Sequence, residues 1–157
     1  MSLRKFLVIA DDSPEARAAL HYACKRAVST GGHVTLLRVI EPAVFEHWSG
    51  VREEMERQER TAAEMLLQKL AERVVAITGQ NPEFLIKHAE NTKTAIRAVV
   101  AADPDIKILV LAASTGGKGP GPLVTAVARE GVHWGGRKLP VTIVPGDLTD
   151  EEIADLA

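Results

Sequence analysis

Two stretches of this chain carry residue types and spacings that could do chemistry. One is the acidic turn Asp11-Asp12-Ser13; the other is the loop Ser114-Thr115-Gly116-Gly117-Lys118-Gly119-Pro120-Gly121. A glycine-rich loop between a strand and a helix lets successive backbone N–H groups turn toward an anion, and the helix N-terminus adds partial positive charge. Gly116, Gly117 and Gly119 suit that role, with Lys118 as a point charge for a phosphate. Read alone, the same loop is a surface turn that needs positive φ. A carboxylate at Asp11 or Asp12 could accept ribose hydroxyl hydrogen bonds or help hold a magnesium ion. The simpler account is helix capping around Ser13, which explains Asp12 more readily than Asp11. Neither stretch is a familiar phosphate motif. Lys118 is followed by Gly119 rather than Ser or Thr, and the loop follows the fourth strand, so it is not a Walker A loop. The dinucleotide fingerprint belongs to the first strand–helix turn, where this chain is acidic.

A catalytic constellation is missing from the sequence. His21, His33, His47, His88 and His133 are scattered, with no pair at metal-ligand spacing and no activated Ser or Cys beside a His. Cys24 is the lone cysteine and falls inside a predicted helix, which makes it a small core residue rather than a nucleophile. The expectation is therefore binding without dedicated turnover: no catalytic residues and no protein-held metal. A formal net charge of -2 argues against nucleic acid as a partner, since that affinity comes from excess Lys and Arg. No apolar run approaches the roughly 20 residues that span a bilayer. Met1 to Lys5 runs straight into a strand without a signal peptide's apolar core, so a cytoplasmic protein is expected.

The elements that must position these groups follow from hydrophobic periodicity. Phe6–Ala10 reads as a strand buried on both faces, then Ser13 and Pro14 open a helix that Gly31-Gly32 ends. Val34–Ile40 is a second strand. After an irregular stretch, 43–50, carrying Phe45, His47 and Trp48, a long helical pattern covers Val51–Thr78. Its apolar stripe is Met55, Ala63, Leu66, Leu70, Val74 and Ile77, and its start is Glu/Arg-rich. At 1.5 Å per residue it would reach roughly 40 Å, so its start is expected to project past the sheet. Phe84–Ala89 is a third strand, Thr92–Ala102 a helix and Ile106–Ala113 a fourth strand, apolar enough to be central. Pro122–Glu130 reads as a helix, Val141–Val144 as a fifth strand at a sheet edge, and Thr149-Asp150-Glu151-Glu152 as a capping box opening a tail helix.

Strands alternating with helices predict one α/β domain with a doubly wound parallel sheet. In such sheets ligands bind beyond the carboxyl ends of the strands, where the strand order reverses. An order of 3-2-1-4-5 puts Asp11-Asp12 and the glycine loop on either side of that crevice. An order of 2-1-3-4-5 would favour Glu90-Asn91-Thr92 instead. Periodicity does not choose between them; the glycine content of the fourth-strand loop favours the first.

Phe6-Leu7-Val8-Ile9-Ala10-Asp11-Asp12-Ser13, Val34-Thr35-Leu36-Leu37-Arg38-Val39, Ile108-Leu109-Val110-Leu111-Ala112 and Pro140-Val141-Thr142-Ile143-Val144-Pro145 together resemble the universal stress protein family, from end to end of the chain. The resemblance implies a five-stranded parallel sheet of order 3-2-1-4-5 in a three-layer sandwich. It also implies one domain over 1–157, with 147–157 a short tail. Many members of this family bind ATP between strands one and four, and many pair as homodimers through the last strand, Val141 to Val144 in this chain. The implied ligand is ATP or AMP, with or without Mg2+. Ala10 and Asp11, with Asp12, would sit near adenine and ribose, and the Val39 backbone would meet adenine. Ala112 and Ala113 would close the end of strand four. Gly116 and Gly119, with Gly117 and Lys118 between them, would hold phosphates, and Thr125 would supply a hydroxyl. The family's ATP-binding members continue with nine residues, Gly, then Ser or Thr. Here the tenth residue after Gly119 is Arg129, and aligning Thr125 puts Val124 in the glycine's place. A β-branched residue at positive φ would cost about 1–2 kcal/mol. The competing expectation is a nucleotide-free dimeric interaction scaffold; an adenine-nucleotide-using enzyme comes third.

Overall fold

A computed structural model describes residues 3–42 and 49–157. The elements, in chain order, are β1 (Lys5–Ile9), α1 (Pro14–Thr30), β2 (His33–Ile40), α2 (Ser49–Thr78), β3 (Glu83–His88) and α3 (Thr92–Ala102). They continue with β4 (Ile106–Ala113), α4 (Pro122–Glu130), β5 (His133–Trp134), β6 (Arg137–Lys138), β7 (Val141–Pro145) and α5 (Asp150–Leu156). The main sheet has the order β3-β2-β1-β4-β7, and all four of its pairings are parallel. Counting only its own strands, this is the order 3-2-1-4-5. The fold is α/β, with helices covering both faces of the sheet.

Alternation along β1 divides the core into two layers. Phe6 and Val8, with Ala10 just beyond, face Leu20, Ala23, Cys24 and Ala27 of α1 and Leu67 and Val74 of α2. Leu7 points the other way, into Ile96, Val99 and Val100 of α3, with Leu109 and Leu111 of β4. A strand buried on both faces needs apolar residues at every position, and that is the run β1 shows. β4 is interior and paired on both sides, but β1 holds the middle of the sheet.

Local signals set most helix ends. The Ser13 hydroxyl accepts from Ala16 N, and Gly31 closes α1 at φ 70°. The Asn91 side chain caps α3 by accepting from Thr94 N. At α5 the Thr149 side chain and Glu152 form the reciprocal capping box. Along α2 the buried residues are Ala63, Leu67, Ala71 and Val74, so the stripe is rotated to include Leu67 and Ala71. Residues 50–62 are mostly exposed, which fits a helix start reaching beyond the sheet. Phe45, His47 and Trp48 lie outside the described residues.

One feature the periodicity did not reveal is an antiparallel hairpin, β5–β6, between α4 and β7. It buries Trp134 and Leu139 against α3. The Arg137 guanidinium secures it by donating to the carbonyls of Val100 (2.7 Å), Asp103 (2.9 Å) and Ile106 (2.7 Å). At the same end of the sheet Lys5 Nζ reaches Asp103 (2.7 Å) and Glu83 (3.1 Å). Burial alone would raise the Asp103 carboxyl, but the Lys5 hydrogen bond, the Asp105 amide and the nearby cations outweigh it and hold it below its ordinary value.

Candidate functional site

The crossovers that leave the middle of the sheet run in opposite directions. From β1 the chain passes through α1 toward β2; from β4 it passes through α4 toward β7. The carboxyl ends of β1 and β4 are adjacent, so the two connections part there and open a notch. A cavity of about 600 Å³ occupies it. Its apolar walls include Val8, Ile9 and Ala10 of the first strand end, Val39 and Ile40 of β2, and Val110, Leu111 and Ala112 of β4. Ser114, Pro120, Gly121 and the first residues of α4 close another side.

Of the residues singled out from sequence, Ala10, Asp11, Val39 and Ala112 come together as lining of this cavity. Asp12 does not line it; its exposed carboxylate lies 3.7 Å from Lys69 Nζ of α2. Ala113 sits just outside, where its carbonyl accepts from Gly146 N. Gly116, Gly117, Lys118, Gly119 and Thr125 are also outside the lining. The reason is the fold of the loop. Ser114 N donates to Pro120 O at 3.0 Å, which draws the two ends of the loop together and leaves residues 115–119 as an exposed excursion.

Positive φ falls later in the loop than Gly116. Gly119 (φ 89°) and Gly121 (φ 106°) take the positive-φ backbone, whereas Gly116 does not. Val124 lies within α4, and no described non-glycine residue has positive φ, so the strain anticipated at Val124 does not arise. The Thr125 hydroxyl is engaged by Gly121 O at 2.8 Å, inside the helix's own first turn. No side chain caps α4, so its first N–H groups are left without a side-chain acceptor. Leu123 and Val124, from that first turn, line the cavity.

The Asp11 carboxylate is held in an Asx turn: Oδ1 accepts from Asp12 N (2.6 Å) and Ser13 N (3.3 Å), and Oδ2 from Ser13 Oγ (3.2 Å). Capping chemistry thus accounts for Asp11 as well as Ser13, while its exposed position still leaves it facing the notch. Sequence reasoning gave no site role to four charged lining residues: Glu15, Arg38, Glu41 and Glu59. Arg38 was findable. It interrupts the apolar β2 run at a position facing α1 and α2, and its Nη1 donates to Ala10 O at 3.2 Å. Glu59 lay hidden in a charge run that reads as solvated surface.

A model of the universal stress protein family matches residues 2–133. The chain is a universal stress protein. Solved members share its fold. The universal stress protein UspA from Lactobacillus plantarum is 18% identical with a TM-score of 0.69, covering 92% of this chain and 98% of its own. A family protein from Arabidopsis thaliana with AMP bound is 18% identical, at a TM-score of 0.61 and 94% of each chain. A universal stress protein in complex with cAMP is 15% identical, at a TM-score of 0.65, covering 94% of this chain and 100% of its own. No curated protein sequence matches the chain. Among the described residues, no helix of this universal stress protein is long and apolar enough to cross a membrane.

Proposed function

We propose that this universal stress protein binds an adenine nucleotide in the notch between β1 and β4, without dedicated turnover. The observation that carries the reading is the cavity itself. Its volume, about 600 Å³, suits a nucleotide-sized ligand. Its apolar strand ends offer surface to a base, the acidic corner offers acceptors to ribose, and the uncapped start of α4 offers N–H groups to a phosphate. Family members solved with AMP and with cAMP support the same ligand class. Mg2+ would enter on the nucleotide's phosphates, because no three described His, Cys, Asp or Glu side chains gather to hold a metal.

Calorimetric titration with AMP and with ATP tests the reading. Ala112→Phe puts a bulky side chain into the cavity and should abolish the heat of binding while the ligand-free protein still melts cooperatively. Gly116→Val should leave affinity unchanged, because a Cβ there meets only Ser114 Oγ, at 3.9 Å. Absence of heat with every adenine ligand would sink the proposal.

The interaction-scaffold reading has its own observation. β7 is an edge strand, and Ile143 on it is 40% exposed. An apolar edge invites strand pairing, and a two-fold dimer would cover both copies. We therefore also propose a homodimer through β7, acting in the cytoplasm. The buried, unpaired thiol of Cys24 suits a reducing compartment. Light scattering should give a dimer mass, and Ile143→Lys should reduce it to the monomer.

A further inference from the structure

We propose that the notch selects adenine ligands of low charge, adenosine, cyclic AMP or AMP, and discriminates against ATP. The proposal rests on the nucleotide-binding reading and assigns the charge class of that ligand. Among the described residues the lining carries four carboxylates, on Asp11, Glu15, Glu41 and Glu59, against one cation, Arg38. Arg38 is partly engaged, since its guanidinium donates to Ala10 O. Lys118, the cation the sequence offered for phosphates, lies outside the lining because the Ser114–Pro120 hydrogen bond closes the loop that carries it.

These groups suit a ligand rich in donors. Carboxylates accept hydrogen bonds from ribose hydroxyls and from an exocyclic amine, and they repel each added phosphate. The uncapped first turn of α4 can receive one phosphate on its N–H groups. A second and third would extend from that turn without a further described cation among the lining residues to meet them. Glu41 is exposed and Glu59 half-buried, so the repulsion is screened by salt and its effect depends on ionic strength.

The test is titration of the full chain with adenosine, AMP and ATP, at low and at high ionic strength, with and without magnesium. AMP should bind at least about tenfold more tightly than ATP at low salt, and the gap should narrow as salt screens the carboxylates. Glu41→Gln/Glu59→Gln should narrow the gap between AMP and ATP in the same way. Lys118→Ala should leave AMP affinity unchanged. ATP binding as tightly as AMP at low salt without magnesium overturns the charge selection while leaving nucleotide binding intact. So does a loss of AMP affinity in Lys118→Ala. Absence of heat with adenosine and AMP as well removes the underlying reading.

Discussion

Cys24 and His21 sit one turn apart on α1, and burial drives both toward their neutral forms. The Cys24 thiol, fully buried, is pushed up to about 12, so it is protonated and unreactive near neutral pH. A thiol reagent should therefore modify the protein only after unfolding; rapid labelling of native protein would contradict the packing. His21 is lowered below its ordinary 6.5, first by burial, with Asp150 pulling it up and Lys25, Arg73 and Arg17 pushing it down. Its Nδ1 lies 3.6 Å from Asp150 Oδ1, and no hydrogen bond satisfies it. The folded state therefore binds the proton less readily than the unfolded chain. Its stability should be full above the unfolded pKa and fall as pH drops through 6.5 toward the lower folded value. Denaturant midpoints measured across that range should show the decline, and His21→Leu should flatten it.

Among the elements, the β5–β6 hairpin tests how far one side chain can secure a short structure. Arg137 serves three carbonyls at 2.9 Å or less, covering the end of α3 and the approach to β4. Arg137→Met should cost about 2 kcal/mol, read as a lower melting temperature with a cooperative transition retained. The hairpin did announce itself: Gly135-Gly136 is a two-residue turn signal, and both glycines adopt positive φ, 57° and 82°. Strands of two residues have no period to read, so the signal stood alone. Where a local rule acts within one turn, as with Ser13, Gly31 and the Thr149–Glu152 box, sequence sufficed. Asp11 was legible for the notch because it follows the end of an apolar run, whereas Ala10, Val39 and Ala112 came from the family resemblance. Glu15, Glu41 and Glu59 came from neither, because what makes them face a cavity is packing between distant elements.

At the scale of the whole molecule, periodicity left two strand orders open; the glycine loop and the family resemblance favoured 3-2-1-4-5, and the pairing of β1 with both β2 and β4 agrees. Hydrophobic period says that a strand is buried, not beside which neighbour it lies. The same long-range closeness is visible at Gly146, after β7. A Cβ there would collide with Glu15 Cβ and lie 2.6 Å from Ala113 O. Gly146→Ala should force α1 away from the end of β4, lowering stability by about 1–3 kcal/mol. It should also weaken nucleotide affinity, since Glu15 lines the notch; thermal melting and titration of the same variant check both.

The hydrogen bond between Ser114 N and Pro120 O has a practical reach of its own. It pinches off the excursion between them much as a clasp closes a bracelet, so what hangs from it can be exchanged without disturbing the wearer. A dye or affinity handle spliced in at Gly117, where an added Cβ meets nothing within 4 Å, would dangle from a sealed neck beside the notch. That makes it a natural berth for a reporter of occupancy.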